Sequence, residues 1–543
     1  MKKFTRVLGA GIVTMAVAAT LSACSSKSSA KATYKKSLSW MTTSEIQTMD
    51  QTKMVDTTGG EQATNVFEGL YRLDKDGNVV PAVATEAKQS KDGLTWTFKL
   101  RKDAKWSNGD PVTANDFVYA LQRTLDPKTA SQQQHELQAV VNADEVVSGK
   151  KSPQSLGVSA KDDHTLVVHL SHPVPYFKTL LSTCWNPVDK KVAEKYGKKF
   201  GTASKYNVYN GPFMQKGWTG SNLSWKLEKN DQYWDKKAVK LQTVNYSVQK
   251  TPSTDYNLYQ SGKLDGALLD VQASKQLKHQ NGYQVFKLDR TEYLTYNVSK
   301  NKDLANVNLR RALSMALDRQ SLAKTVGAAN TVAKTFAGPN EKVGNVDFAD
   351  YVEKRDPSNK YVEHNETEAK RLFQTALKEL GKDHVSFTLG GDDDDVSKKV
   401  MEFVQSELES TFGKKLTVNV RSMPKTTRVA NMLNGKYDVD YTGLTSGYLD
   451  PYSMLHTMMS GENYNFGKWS NKNFDQYMKA SDRQMNTFKR LQDLFNGERV
   501  LMDQQPLSPL FHDGQAWMVR PGVHNLEFDS GNFNFRNAYV LDK

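Results

Sequence analysis

Residues 100–131 read LRKDAKWSNGDPVTANDFVYALQRTLDPKTAS. At their leading edge, Leu94-Thr95-Trp96-Thr97-Phe98-Lys99-Leu100 alternates side chains with the period of a strand that buries one face. Trp106-Ser107-Asn108-Gly109-Asp110 is a turn. Thr113-Ala114-Asn115-Asp116 then opens a helix: Thr113 is the cap and Asp116, three residues on, completes a capping box. The helix carries Phe117, Ala120, Leu121 and Leu125, and it stops at Asp126-Pro127 because proline cannot continue the ladder. Strand, turn and helix within one stretch point to an α/β chain.

The same signals recur outward from this stretch. Thr165–Leu170 alternates as a strand, Asn210-Gly211-Pro212 is a turn, and Leu223–Leu227 alternates again. Leu309–Val326 reads as one amphipathic helix with Leu313, Ala316, Leu317 and Leu322 on a shared face. Thr367–Leu380 is a helix closed by Gly381, Ser397–Phe412 a helix closed by Gly413, and Leu416–Val420 a strand. The chain has 543 residues, enough for three or four domain-sized pieces. Hydrophobic residues are 38% and charged residues 24%, which excludes wholesale disorder. Nine Trp, 23 Tyr and 22 Phe exceed what cores demand and suggest surfaces that hold something. No Ser/Gly linker separates the expected lobes, so their boundaries cross the chain more than once.

The start of the chain predicts export. Lys2, Lys3 and Arg6 precede an uncharged stretch from Val7 to Ala19, which is too short for a comfortable membrane span. Leu21-Ser22-Ala23-Cys24 resembles a lipoprotein signal-peptidase site, with Cys24 lipidated; the alternative is an ordinary secretory signal with an incidental cysteine. Residues 1–23 are then a signal peptide and 24–37 a polar tether that holds the body at a membrane. The other cysteine, Cys184, has no partner and reads as a buried structural thiol. The net charge of +13 falls to 70 basic against 60 acidic residues once the leader is removed. That excess is dispersed, so no nucleic-acid partner is expected.

There is no phosphate loop, zinc-type His pair or nucleophile elbow. Ser422-Met423-Pro424-Lys425 has a proline inside its S-x-x-K spacing. Asp392–Asp395 lacks the glycine and final glutamate of a calcium loop, and reads as a solvated loop before a helix. His169 and His172 read as a surface pair. Nothing nominates an active site, so the expectation is a chain that is not an enzyme and carries no cofactor or metal.

Several ordered segments carry a more specific signal. They are Asn65-Val66-Phe67-Glu68-Gly69-Leu70-Tyr71; the 100–131 stretch; Asn210-Gly211-Pro212-Phe213 with Glu228–Trp234; Tyr293–Asn297 leading to Leu309–Leu313 and Ala316–Arg319; Gly443–Pro451; and Asn532–Asn537. Together they resemble the extracytoplasmic oligopeptide-binding lipoproteins of ABC transporters, the bacterial solute-binding proteins of family 5. The resemblance runs from about residue 38 to 543. It implies a two-lobed, periplasmic-binding-protein-like α/β fold of type II, with an extra small domain and hinged lobes around a central cleft. Lobe 1 would comprise 38–67, 195–292 and 508–543, the small inserted domain 68–194, and lobe 2 293–507. The implied partners are an extended oligopeptide, the permease subunits and the membrane reached through the Cys24 lipid, with the protein itself a monomer on the outer face of the cell membrane.

By the same resemblance, the ligand's backbone is gripped by two rails, one near Thr57 and Thr58, the other Gly443, Leu444, Thr445, Ser446 and Gly447, with Tyr448 and Asp450 beyond. Tyr293, Tyr296 and Asn297 are carried over as residues near the cleft. One position departs from the pattern. Many relatives read W-x-x-D-Y-x-D/E-P at the second rail, the first acid pairing with the peptide's ammonium. Here Leu444 replaces the Trp and Gly447 stands at the acid's position. The resemblance thus leaves three outcomes open: another acid serves, the amino end stays in water, or the ligand's amine is blocked or absent. The expectation drawn from it is that a free amino terminus is not read as in those relatives. A receptor for a specialised ligand (a pheromone or a wall-derived peptide), a surface-anchored hydrolase and a chaperone-like binder are the competing readings.

Overall fold

The structure, a computed structural model, describes residues 34–541 apart from 55, 184 and 530. The expected signal peptide, Cys24 and Cys184 lie outside the described residues. The expected tether is corrected at its end: Tyr34–Lys35 already forms a strand, with Tyr34 opposite Leu541 and Lys35 opposite Val540, so the fold is under way before residue 38. Among the described residues no helix is long and apolar enough to cross a membrane.

Lobe 1 is built on a four-stranded sheet in the order Ser37–Thr42, Thr243–Val248, Ser224–Lys229, Phe213–Lys216. Its first two strands run parallel, with Trp40 opposite Tyr246. The inserted segment carries its own antiparallel sheet, Ala84–Gln89, Thr95–Leu100, Thr165–His169 and Val158–Asp162. This segment does not close over a core of its own. Trp96, Phe98 and Phe177 join Trp40, Phe213 and Trp225 in one continuous apolar cluster, so insert and lobe 1 are packed as one body.

A second, larger sheet joins the lobes. Its order is Gly266–Leu268, Leu507–Val519, Tyr283–Tyr296, Val439–Thr445, Val385–Asp392, Leu416–Met423, with Thr331–Val332 paired to Leu507–Val519. The two long strands Tyr283–Tyr296 and Leu507–Val519 are antiparallel partners, and each runs between two cores: Leu294, Tyr296, Leu510 and Phe511 pack with Leu313 and Val385, while Phe286 and Trp517 pack with Trp40. Their register slips between Lys287 and Thr291. A bulge of this kind bends and twists a strand pair, and here it sits where the chain passes between lobes.

The 100–131 stretch folds from its own signals. Thr113 N donates to Asp116 Oδ2 at 2.8 Å, the capping box expected of the helix Ala114–Leu125. Gly109, at φ +94, closes the turn by donating to the Trp106 carbonyl at 2.8 Å. The long helix expected over 309–326 is corrected to two, Val307–Met315 and Arg319–Val326. Asp318 makes the break: its carboxylate caps the second helix through Gln320 N at 3.1 Å and Ser321 N at 3.0 Å, a local bond that competes with helix continuation.

The acidic run 392–395 is corrected too. Asp394 caps the helix Asp395–Phe412, but Asp392 is not left to solvent: it accepts from Arg428 Nε at 2.6 Å. His169 and His172 do not form a pair. His169 meets Thr95, while His172 reaches Asp482 of lobe 2 at 3.4 Å.

Candidate binding cleft

A cavity of about 700 Å³ lies where the lobes face each other, within the range that ligand sites occupy. Lobe 1 contributes Met41–Ser44 and the first turns of the helix Thr57–Val66; the insert contributes Glu68, Gly69 and Tyr71–Leu73. The bulge residues Leu288–Arg290 form its back, and Thr445 represents lobe 2.

The lobe 1 wall is polar by construction. Asp56 caps the helix by accepting from Gly59 N at 2.7 Å. Thr58 Oγ1 lies 3.1 Å from Thr42 Oγ1 and 2.7 Å from Ser44 Oγ, a hydroxyl cluster bordering the cavity. Thr57 beside it is exposed.

The lobe 2 wall follows from sheet order. Val385–Asp392, Leu416–Met423 and Val439–Thr445 are parallel neighbours, so their carboxyl ends point one way, the edge where α/β sheets hold ligands. Val439–Thr445 is paired with Tyr283–Tyr296 along its length. On its other side it is paired only at Val439 and Asp440. From Tyr441 to Thr445 one edge of this strand has no ladder partner among the described residues. Gly443 leaves room for two charged side chains: a Cβ there would meet the Glu292 carboxylate and the Arg290 guanidinium, which would have to move aside.

The predicted second-rail residues divide. Thr445 is exposed and lines the cavity, and Gly447 is exposed just beyond it. Ser446 is buried, its N–H donating to the Asp289 carbonyl at 2.8 Å and its Oγ to the Tyr448 carbonyl at 2.6 Å. Leu444 packs against a lobe 2 core. Tyr448 stacks on Tyr176 of the insert, with centroids 5.2 Å apart and planes 5° apart. Asp450 is buried and held by both arms of Arg490, each at 2.7 Å, so its carboxylate is engaged.

Tyr293, Tyr296 and Asn297 do not line the cavity, a correction to their carry-over. Tyr293 packs against Phe336. Tyr296 bonds Ser508 Oγ at 2.8 Å inside the sheet. Asn297 ties a turn by donating to the carbonyls of Gly435 at 3.1 Å and Tyr437 at 3.0 Å. Period-two alternation along a strand shared by two packed layers sends these side chains into cores.

Several segments that carry the resemblance meet beside the cleft instead. Glu68 Oε1 accepts from Tyr233 OH and Oε2 from Trp234 Nε1, each at 2.5 Å. Arg536 Nε donates to Tyr233 OH at 3.1 Å, and Asn210 clasps the Glu68 backbone from both sides. Burial raises the Glu68 pKa against these hydrogen bonds. Gly211 is needed because a Cβ would stand 2.6 Å from the Val66 carbonyl carbon.

Sequence reasoning missed the charged lining. Glu61, on the helix Thr57–Val66, is lifted to about 7 by burial despite hydrogen bonds from Tyr246 OH at 2.8 Å and Phe533 N at 3.3 Å. Asp289 is lifted to about 6 by burial. Arg290 lies 2.6 Å from Glu292 and 3.2 Å from Asp513; burial and Glu292 push Asp513 to about 7. Arg72 had the one visible signal, a lone cation within the run Val66-Phe67-Glu68-Gly69-Leu70-Tyr71-Arg72-Leu73.

Comparisons with known proteins agree with the two-lobed α/β fold. The family described as bacterial extracellular solute-binding proteins, family 5 Middle, matches residues 78–466. The dipeptide-binding protein of Lactococcus lactis subsp. cremoris (strain MG1363) is 35% identical, over 99% of this chain and 100% of that one. A Listeria monocytogenes OppA bound to peptide superposes with a TM-score of 0.74 at 33% identity, covering 94% of this chain and 100% of that chain. An unliganded open form of the periplasmic murein tripeptide-binding protein MppA gives 0.79 at 26% identity, covering 94% and 98%.

Proposed function

For a chain that belongs to the bacterial extracellular solute-binding proteins of family 5, we propose capture of extended oligopeptides between the two lobes and delivery to the permease of an ABC transporter. The observation that carries this is the unpaired edge of Val439–Thr445 beside the cavity. An extended peptide added to that edge would pair by backbone groups that every peptide shares. Each such hydrogen bond contributes about 1 kcal/mol net, so several together give affinity without regard to side chains. The hydroxyls around Thr58 face the same cavity from lobe 1. A ligand touching both walls binds the closed arrangement better, so binding and closure become one event.

The finer reading is a lipid anchor at Cys24 that holds the body on the outer face of the cell membrane as a monomer, with no chemistry done on the peptide. The relatives include proteins named for dipeptides and for a murein tripeptide, so a single specialised ligand is the alternative. It gains support from the second rail, where Gly447 carries no side chain and Asp450 is already held by Arg490. Mass spectrometry of what is released from the purified protein by mild denaturation tests both. A mixed set of short intact peptides is expected; one defined species would favour the specialised receptor, and cleavage of added peptides would overturn the reading.

A further inference from the structure

Three arginines line the cavity, and two of them are committed. Arg290 is bonded to Glu292 at 2.6 Å and lies 3.2 Å from Asp513. Arg536 donates to Tyr233 OH at 3.1 Å and Asn537 Oδ1 at 3.1 Å, and pairs with Asp235. Arg72 is different. Its closest acid is Glu68, at 3.9 Å from Nε, and both Glu68 oxygens already accept from Tyr233 and Trp234. The Nε of Arg72 is buried and has no hydrogen-bond partner among the described residues.

The backbone that presents it is well held. Arg72 lies between two buried residues, Tyr71 and Leu73, on a strand paired with Val79–Pro81. A guanidinium in this state carries the desolvation cost of an unmade hydrogen bond. It also presents a planar fork that matches a carboxylate. The other acid on this part of the wall is Asp529, which burial and Glu527 lift to about 7. Arg72 is among the charges that draw it back down, so Asp529 shares the arginine's field without occupying its Nε.

We propose that Arg72 is a specificity-determining residue that receives a carboxylate of the bound ligand. The proposal rests on the peptide reading above and names which chemical group of the peptide is read. A cleft whose second rail offers no free acid for an ammonium, yet whose wall holds an arginine with an unbonded Nε, would orient its ligand by a carboxylate.

The test uses the ligand-stripped protein and isothermal titration with tetra-alanine and its C-terminal amide. Wild type is expected to bind the free acid at least tenfold more tightly than the amide. Arg72→Leu is expected to erase that difference, weakening the acid and sparing the amide, and Arg72→Lys to restore part of it. The amide of Ala-Ala-Glu-Ala separates the sources: recovered affinity assigns the contact to an acidic side chain, none assigns it to the terminal carboxylate. Equal binding of acid and amide by wild type would overturn the proposal, as would equal weakening of both by Arg72→Leu. Failure of wild type to bind either probe would overturn the peptide reading and this inference with it.

Discussion

Two neighbouring residues of the second rail make opposite demands. Gly447 is exposed, and a Cβ placed on it meets only Ser453 Oγ, at 3.6 Å, so a larger side chain fits. With no acid there, N-acetylation of a peptide is expected to change its affinity less than about threefold, whereas Gly447→Asp should make acetylation cost about tenfold, the scale of a partly desolvated charge-assisted hydrogen bond. Titration of one peptide in both forms checks this; a large acetylation loss in wild type would contradict it. Asp450 is structural. Arg490→Met would leave its carboxylate buried and unpaired, at a cost of about 3–5 kcal/mol, readable by urea denaturation. A loss below about 1 kcal/mol would mean the pair is better solvated than its burial indicates.

At the scale of elements, local chemistry was legible and interruptions were not. The capping box at Thr113 and Asp116 and the glycine stop at Gly381, with φ +65, follow from side chains that act within one turn. The break at Ala316–Asp318 defeated the periodic reading because Leu313 and Leu317, four apart, are both buried and carry a helical spacing into it, while Leu322, five further on, is buried as well. Arg319 helps explain why the second helix turns away. It is buried and donates to the Pro509 carbonyl at 2.6 Å and the Ser314 carbonyl at 2.8 Å, tying the helix to the crossing strand. Asp318→Ala is expected to destabilise lobe 2 by about 1 kcal/mol through the lost cap, visible as a lower melting temperature. An unchanged melting temperature would show that packing alone sets the break.

For the whole molecule the decisive feature is the strand pair that threads both lobes and bends at Leu288–Arg290. On the proposed division into lobes, two crossings would confine relative motion to a hinge, with the cavity beside it. Buried acids impose a pH dependence on the same body. Burial lifts Glu498 to about 8, and its Oε1 accepts from Phe336 N at 2.7 Å; Asp440 is lifted to about 7. In each case the folded state holds a proton that the unfolded state releases at lower pH. Their contribution is fully present below about pH 4.5 and is lost as pH rises towards 8. Stability is therefore expected to fall between pH 5 and 8, and Glu498→Gln to flatten that slope by an amount of order a few kcal/mol. Thermal melts of both proteins across that range check the sign; a wild-type slope that rises with pH would refute it.

By itself the sequence determined the class, the caps and turns, and the resemblance, because each is written in side chains a few residues apart or in ordered motifs. Only the tertiary structure decided which motif residues touch the cavity. Glu68, Tyr233, Trp234 and Arg536 come from three separate motif segments and bond to one another, and of the four Glu68 and Arg536 also reach the cavity. Arg72 looks incidental, yet its Nε is left without a hydrogen bond at the cavity wall, with Glu68 no nearer than 3.9 Å. The reason is physical: whether a charge is spent or free depends on partners up to hundreds of residues away, and strand order and packing alone bring those partners together.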